Sequence, residues 1–140
     1  MQRLLIVDDE PLVRDALRRV LELEGMHVTV AADAESGLGE LRRELPDLAI
    51  VDVIMPGVDG VEMIRRIRRE FAALPVIAIS GGGNFEVSGY RPEAIRTQAY
   101  LAAATKAGAD AVLPKPFNLG ELLAAVRRLL GGEINAAAPD

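Results

Sequence analysis

Five apolar runs of strand length alternate with five stretches of helical pattern, and this alternation limits what the chain can fold into more than any other feature. Strands are expected at about 3–7, 27–31, 47–52, 75–80 and 110–114. The first, third and fourth are continuously apolar, as in strands covered on both faces. Pro11 marks the start of a first helix with apolar positions Val13, Ala16, Leu17, Val20 and Leu21, and Gly25 is its stop signal. Asp33 can cap a second helix over about 34–45, closed by Pro46. Asp59 with Glu62 three residues on forms a capping-box pattern for a third. That helix is expected to bury Val61, Ile64, Ile67 and Phe71 and to turn Arg65, Arg66, Arg68 and Arg69 outwards. Pro92–Ala107 reads as a fourth helix, with proline at its first position. Asn118 and Glu121 repeat the capping box for a fifth, whose stripe is Leu119, Leu122, Leu123, Val126, Leu129 and Leu130.

Five strand–helix units in series imply an α/β fold: a doubly wound, five-stranded parallel sheet with right-handed crossovers. Strand order 2-1-3-4-5 is the economical arrangement, with its switch point between the first and third strands. The 140 residues suit one domain, here 1–130, followed by an Ala-rich and flexible tail at 131–140. Half the residues are apolar but only 4% aromatic, so the core must be built from Leu, Val, Ile and Ala. The absence of cysteine excludes disulfides, thiol catalysis and a cysteine metal cluster. A net charge of −5 argues against broad nucleic-acid binding. The N-terminal apolar run, Leu4 to Val7, is too short for a signal peptide, and no segment approaches the ~20 apolar residues of a membrane span. A soluble, cytoplasmic protein is expected.

The strand ends carry the chemistry. Leu4–Val7 runs into Asp8-Asp9, Leu48–Val51 into Asp52, Val76–Ile79 into Ser80, and Ala111–Pro114 into Lys115. In one parallel sheet these side chains converge at the carboxyl edge, where open α/β sheets bind ligands. Three carboxylates in one place repel each other and call for a bound cation. A divalent metal beside a carboxylate, a lysine and a hydroxyl suits the handling of a phosphoryl group. Taken singly, Asp8 is a helix-cap acid and Lys115 a solvated lysine; their company changes the reading. Glu10 reads as a helix-start acid or an outer partner rather than a ligand, and His27 as structural. The pairs Arg18-Arg19, Arg42-Arg43 and Arg127-Arg128 read as solvated helix faces.

Four motifs at the strand ends together resemble the receiver domain of bacterial two-component response regulators. They are Asp8-Asp9-Glu10, Asp52-Val53-Ile54-Met55-Pro56-Gly57-Val58-Asp59-Gly60, Ser80-Gly81 and Lys115-Pro116-Phe117, and the resemblance runs from about Arg3 to Leu130. It implies a flavodoxin-like (βα)5 fold with Asp52 as phosphoacceptor, taking a phosphoryl group from a histidine kinase or histidine phosphotransfer protein. It implies Mg²⁺ on Asp9, Asp52 and the backbone carbonyl of Ile54, with Asp8 acting through a water. Lys115 would pair with one phosphoryl oxygen; Ser80 and the Gly81 amide would serve others. The Lys115–Pro116 bond is the candidate cis peptide. Such a protein is a phosphoacceptor that assists its own phosphorylation and dephosphorylation, not an enzyme in the ordinary sense.

Two departures stand out. The family's switch aromatic, three positions before the lysine, is Val112 here, and a β-branched side chain cannot report phosphorylation by a large ring rotation. Ser80 and Lys115 stand 35 positions apart, about a dozen more than the family commonly has. The addition falls in the Gly-rich stretch 81–91, and connections beyond ~2–6 residues are more often functional than not. The expectation is that Ser80, Val112, Phe85 and Tyr90 share the switching role. Ile54 and Gly82, near the path of water, have no polar side chain to orient it, so slow self-dephosphorylation is expected.

The resemblance implies a stand-alone receiver acting through an unidentified downstream protein, by way of the 81–91 loop and the face of the fourth helix, fifth strand and fifth helix. No direct nucleic-acid or membrane contact is expected; a monomer and a weak phosphorylation-dependent dimer both remain open. A phosphorelay shuttle or phosphate sink is an alternative use of the same chemistry. An Mg-dependent phosphohydrolase with an aspartate nucleophile wants an acid two positions after that nucleophile, where this chain has Ile54. A flavodoxin-like cofactor carrier needs its phosphate loop where Asp8-Asp9-Glu10 would repel an anion.

Overall fold

Strands that are apolar on both faces need cover on both, and the chain supplies it with the first and fifth helices on one side of the sheet and the second, third and fourth on the other. The computed structural model describes residues 2–53, 60–80, 92–114 and 118–131, with backbone alone at residue 80 and over 92–98. The strands are β1 (Arg3–Val7), β2 (His27–Ala31), β3 (Leu48–Asp52), β4 (Val76–Ser80) and β5 (Ala111–Pro114). They pair in parallel in the order β2-β1-β3-β4-β5, as expected. The helices are α1 (Pro11–Leu23), α2 (Ala34–Arg43), α3 (Gly60–Glu70), α4 (Pro92–Ala107) and α5 (Leu119–Leu129).

Alternation along each strand divides the core into two layers. Leu4, Ile6, Leu48, Ile50, Ile77 and Ile79 pack with Leu17 and Leu21 of α1 and Leu122 and Val126 of α5. On the other side Leu5, Val7, Ala49, Val51 and Ala78 meet Leu38 and Leu41 of α2, Ile64 and Ile67 of α3, and Leu101 and Ala104 of α4. Each fully buried aliphatic side chain contributes about 1.5–3 kcal/mol, far more than an exposed ion pair. The aliphatic layers therefore decide the stability of the sheet. Among the described residues, no helix is long and apolar enough to cross a membrane.

The caps follow the sequence signals where they can be compared. Asp33 Oδ1 accepts from the Ser36 amide at 2.8 Å, and this bond holds the Asp33 carboxyl below its ordinary pKa. Asn118 and Glu121 form the reciprocal capping box at α5. The Asp59 cap and residues 132–140 of the tail lie outside the described residues.

Several boundaries and faces differ from expectation. α2 ends at Arg43 rather than 45, because Glu44 turns extended ahead of the Leu45-Pro46 pair. β3, β4 and β5 each start one residue later than expected. Pro75 has no N–H to donate, and Asp47 is occupied with Arg3, whose amide its side chain accepts at 2.8 Å. Leu119 is 45% exposed and so leaves the α5 stripe, which Ala125 joins. Ala16 likewise faces solvent on α1. Phe71 lies past the end of α3 and is half-buried, while Met63, not expected inside, is fully buried. Gly37 of α2 makes the room: a Cβ there would stand 2.8 Å from the Met63 methyl and from Val7.

Of the α3 arginines expected to point outwards, Arg65 and Arg69 are exposed, but Arg68 is not a solvated side chain. Its side chain is only 23% exposed. Nε donates to the Gly108 carbonyl at 2.9 Å, Nη1 to the Ala72 and Leu74 carbonyls at 3.2 and 2.6 Å, and Nη2 to Asp110 Oδ2 at 2.7 Å. The same Asp110 oxygen accepts the Val76 amide at 2.9 Å. One guanidinium thus ties α3 to the starts of β4 and β5 at the amino edge of the sheet. Gly108 has φ +122°, and a Cβ on it would lie 2.6 Å from the Arg68 side chain.

At the other end of α3, Gly60 permits a close backbone approach. A Cβ there would fall 2.2 Å from the Asp52 carbonyl oxygen and 2.5 Å from Val53 Cα. Gly60→Ala should therefore force α3 off the end of β3 and cost about 1–3 kcal/mol in urea unfolding. Arg68→Ala should cost about 2–3 kcal/mol by the same measurement, since its acceptors lose a charged donor. Arg68→Lys should recover only part, because an ammonium has no fork to span them.

Candidate functional site

The register of the sheet positions the acids. Val7 pairs with Val51 across the β1–β3 junction, so the next residues, Asp8 and Asp52, stand level at the carboxyl edge. This junction is where the strand order reverses, the place where an open α/β sheet leaves a crevice. Asp8 and Asp52 are fully buried, and Asp9 is half-buried beside them. One carboxylate oxygen from each of the three lies within 4.8 Å of the others.

That geometry has a clear electrostatic consequence. Two full charges 4.8 Å apart repel by about 3.5 kcal/mol at an effective dielectric of ~20, and the triad contains three such pairs. A divalent cation reverses the sign of the arrangement. Carboxylate oxygens are the hard donors that Mg²⁺ and Ca²⁺ take, and a site with only a few protein ligands leaves the water positions that Mg²⁺ retains. Asp8, Asp9 and Asp52 therefore fit a hard divalent ion.

Local bonds hold Asp8 in place. Its N–H donates to the Ala31 carbonyl at 3.1 Å, extending the β1–β2 ladder by one step. Its Oδ1 accepts the Glu10 amide at 2.9 Å, and its carbonyl accepts Nη1 of Arg14 at 2.8 Å. Glu10 is the N-cap residue of α1, in keeping with a helix-start role. Asp52 is the last residue of β3, held from behind by the approach of Gly60, and the Val53 amide continues the ladder to the Ile79 carbonyl at 2.9 Å.

Ser80 closes β4 and pairs with Pro114, the last residue of β5 and the neighbour of Lys115. The backbone thus brings Ser80 to the edge that carries Asp52. Lys115, Pro116, Ile54, Gly81, Phe85 and Tyr90 lie outside the described residues, as does Gly82. Val112 is half-buried against the layer formed with α4, which Tyr100 also joins. His27 begins β2 at the amino edge, exposed and away from the acids. The six paired arginines are exposed, and four of them engage acids: Arg18 with Glu22, Arg42 with Glu70, Arg43 with Glu40 and Arg127 with Glu24. Arg42 grips both oxygens of Glu70, which holds the Glu70 carboxyl below and the Arg42 guanidinium above their ordinary pKa values.

Gly60 and Arg14 are contributors that sequence reasoning did not single out. Gly60 stood inside a quoted motif without a role, and nothing in a sequence signals a backbone contact to a strand eight positions earlier. Arg14 had one available sign: a cation in the first turns of a helix, where the dipole disfavours it.

Comparison with known proteins bears on the same edge. The response regulator receiver domain model matches residues 4–127. The response regulator MprA of Mycolicibacterium vanbaalenii is 38% identical over 128 residues, 91% of this chain and 50% of MprA. The chain thus spans about half the length of the curated relatives it matches. The receiver domain of NtrX from Brucella abortus aligns with a TM-score of 0.77 and 30% identity, covering 93% of this chain and 99% of the other. The CheY-like response regulator receiver domain protein from Methanospirillum hungatei gives a TM-score of 0.79 and 28% identity, with 94% of each chain covered. The resemblance read from four strand-end motifs thus extends over the whole sheet, and this chain belongs to the response regulator receiver domain family of two-component systems.

Proposed function

We propose that Asp52 accepts a phosphoryl group from the phosphohistidine of a histidine kinase or histidine phosphotransfer protein. The observation that carries this reading is the level placement of Asp8 and Asp52 across the β1–β3 junction, with Asp9 beside them. A carboxylate oxygen of Asp52 attacks phosphorus in line, the P–N bond to the donor imidazole breaks, and an acyl phosphate forms on the side chain. Asp9 and Asp52 would hold Mg²⁺, with Asp8 acting through a water, and the ion would supply charge compensation for the phosphoryl oxygens. The Ile54 carbonyl would be the further protein ligand in this reading. Lys115 neutralises one phosphoryl oxygen, while Ser80 and the Gly81 amide donate hydrogen bonds to others. Burial of Asp52 limits the approach of water to the product.

Output in this reading is a change in binding to a downstream protein in the cytoplasm. The 81–91 loop and the face of α4, β5 and α5 carry that change. Val112 supports the involvement of the loop, since a small β-branched side chain cannot swing as an aromatic does. The chain acts as a phosphoacceptor rather than as a turnover enzyme.

With Mg²⁺ and a small phosphodonor such as acetyl phosphate, the protein should gain one acid-labile phosphate, readable as a mass increase by intact-protein mass spectrometry. Asp52→Ala, or chelation of the metal, should reduce incorporation at least about a hundredfold. Incorporation that survives Asp52→Ala would move the acceptor elsewhere. In hydrogen exchange, amides of residues 81–91 should change protection when a phosphate mimic is bound at Asp52. Identical exchange with and without the mimic would remove the loop from the switch.

A further inference from the structure

We infer that Arg14 is a positioning residue for the metal site, setting the β1–α1 turn that carries Asp8 and Asp9 before the ion arrives. The inference rests on the metal-binding reading above and goes beyond it by assigning a role to a residue outside the acid cluster. Arg14 is half-buried on the second turn of α1, and its amide donates to the Glu10 carbonyl at 3.0 Å. Helical side chains lean towards the N-terminus of their helix, which carries the guanidinium back over the turn it follows. There Nη1 meets the Asp8 carbonyl at 2.8 Å.

This carbonyl is the point where the strand stops being a strand. The Asp8 amide still belongs to the ladder through Ala31, but β1 ends at Val7 and the chain must turn within two residues to reach Pro11. Arg14 holds the turn from the main-chain side, and the Glu10 amide holds it from the side-chain side through Asp8 Oδ1. Together these bonds fix both the backbone and the χ angles of Asp8, and with them the direction in which Asp9 leaves the strand. Outer partners of this kind, which orient a ligand without touching the ion, have large effects on metal affinity.

The charge of Arg14 makes the assignment sharper. A cation near a helix N-terminus opposes the helix dipole, and a cation near a divalent metal site opposes the metal. On charge alone, removing Arg14 should tighten Mg²⁺ binding. On positioning, removing it should loosen binding. The two roles predict opposite signs for one measurement.

The test is calorimetric titration of the metal-free protein with MgCl₂, for wild type, Arg14→Met and Arg14→Lys, with Asp52→Asn as the control for the site. Positioning predicts a dissociation constant about tenfold higher in Arg14→Met, with a smaller rise in Arg14→Lys, which keeps a donor but loses the planar fork. Amide exchange of the metal-free protein supplies a second readout. The Glu10 amide should exchange faster in Arg14→Met, while the Ser36 amide at the α2 cap should not. Unchanged or tighter Mg²⁺ binding in Arg14→Met overturns the inference. So does faster exchange at Glu10 and Ser36 alike, which marks general loss of stability. If wild type shows no Asp52-dependent Mg²⁺ binding, the metal reading itself fails and takes this one with it; a wild type that binds beside an indifferent Arg14→Met sinks the inference alone.

Discussion

The pairing of β1 with β3 is the constraint from which the rest of this structure follows. These two strands come from opposite sides of the topological switch, and both are buried on both faces. A slip of one residue between them would send Ile6 and Val7 into the wrong layers, so the aliphatic core enforces the register. The same register sets Asp8 beside Asp52. Hydrophobic packing therefore does the work of bringing together groups that repel each other. It can do so because burial of a dozen large apolar side chains, at about 1.5–3 kcal/mol each, outweighs about 10 kcal/mol of carboxylate repulsion.

Opposition of that kind marks sites where stability is given up for chemistry. Buried carboxylates in a cluster repel each other, yet here they sit at the ends of strands buried on both faces. Rigidity is what the proposed phosphoryl transfer needs. In phosphoryl transfer the protein contributes position and charge rather than covalent steps, so displacement of an acid is felt directly. Gly60 presses against the Asp52 carbonyl, and Arg14 and Glu10 bond to Asp8, so contacts restrain the chain at both acids.

Much of this was legible in the amino-acid order because the signals were redundant. Continuous apolar runs mark the strands to within a residue, and Pro11, Asp33 and Asn118 with Glu121 mark helix starts by local chemistry and stand where expected. The strand order followed from counting units, and the acid cluster from asking where strand ends meet. What was not legible depends on distance in the chain. Arg68 belongs to a run of arginines that reads as solvated, and only the fold reveals that four acceptors await one of them. Met63 is buried because Gly37, on another helix, has no side chain. Leu119 passes for a core leucine by periodicity but sits in the first turn of α5, above the edge of the layer it was meant to join.

The Arg68 clamp bears on how this fold can lengthen a connection at its chemical edge. Residues 81–91 join the end of β4 to the start of α4. The far end of α4 and the beginning of β5 are already anchored to α3 and β4 through Gly108 and Asp110. Chain entropy charges a longer closed loop only logarithmically, about 0.6 kcal/mol for each doubling. With its tail fastened, α4 can be entered through a short or a long approach without loosening the strand that follows. The amino edge of the sheet is thus held whatever the length of the connection at its carboxyl edge.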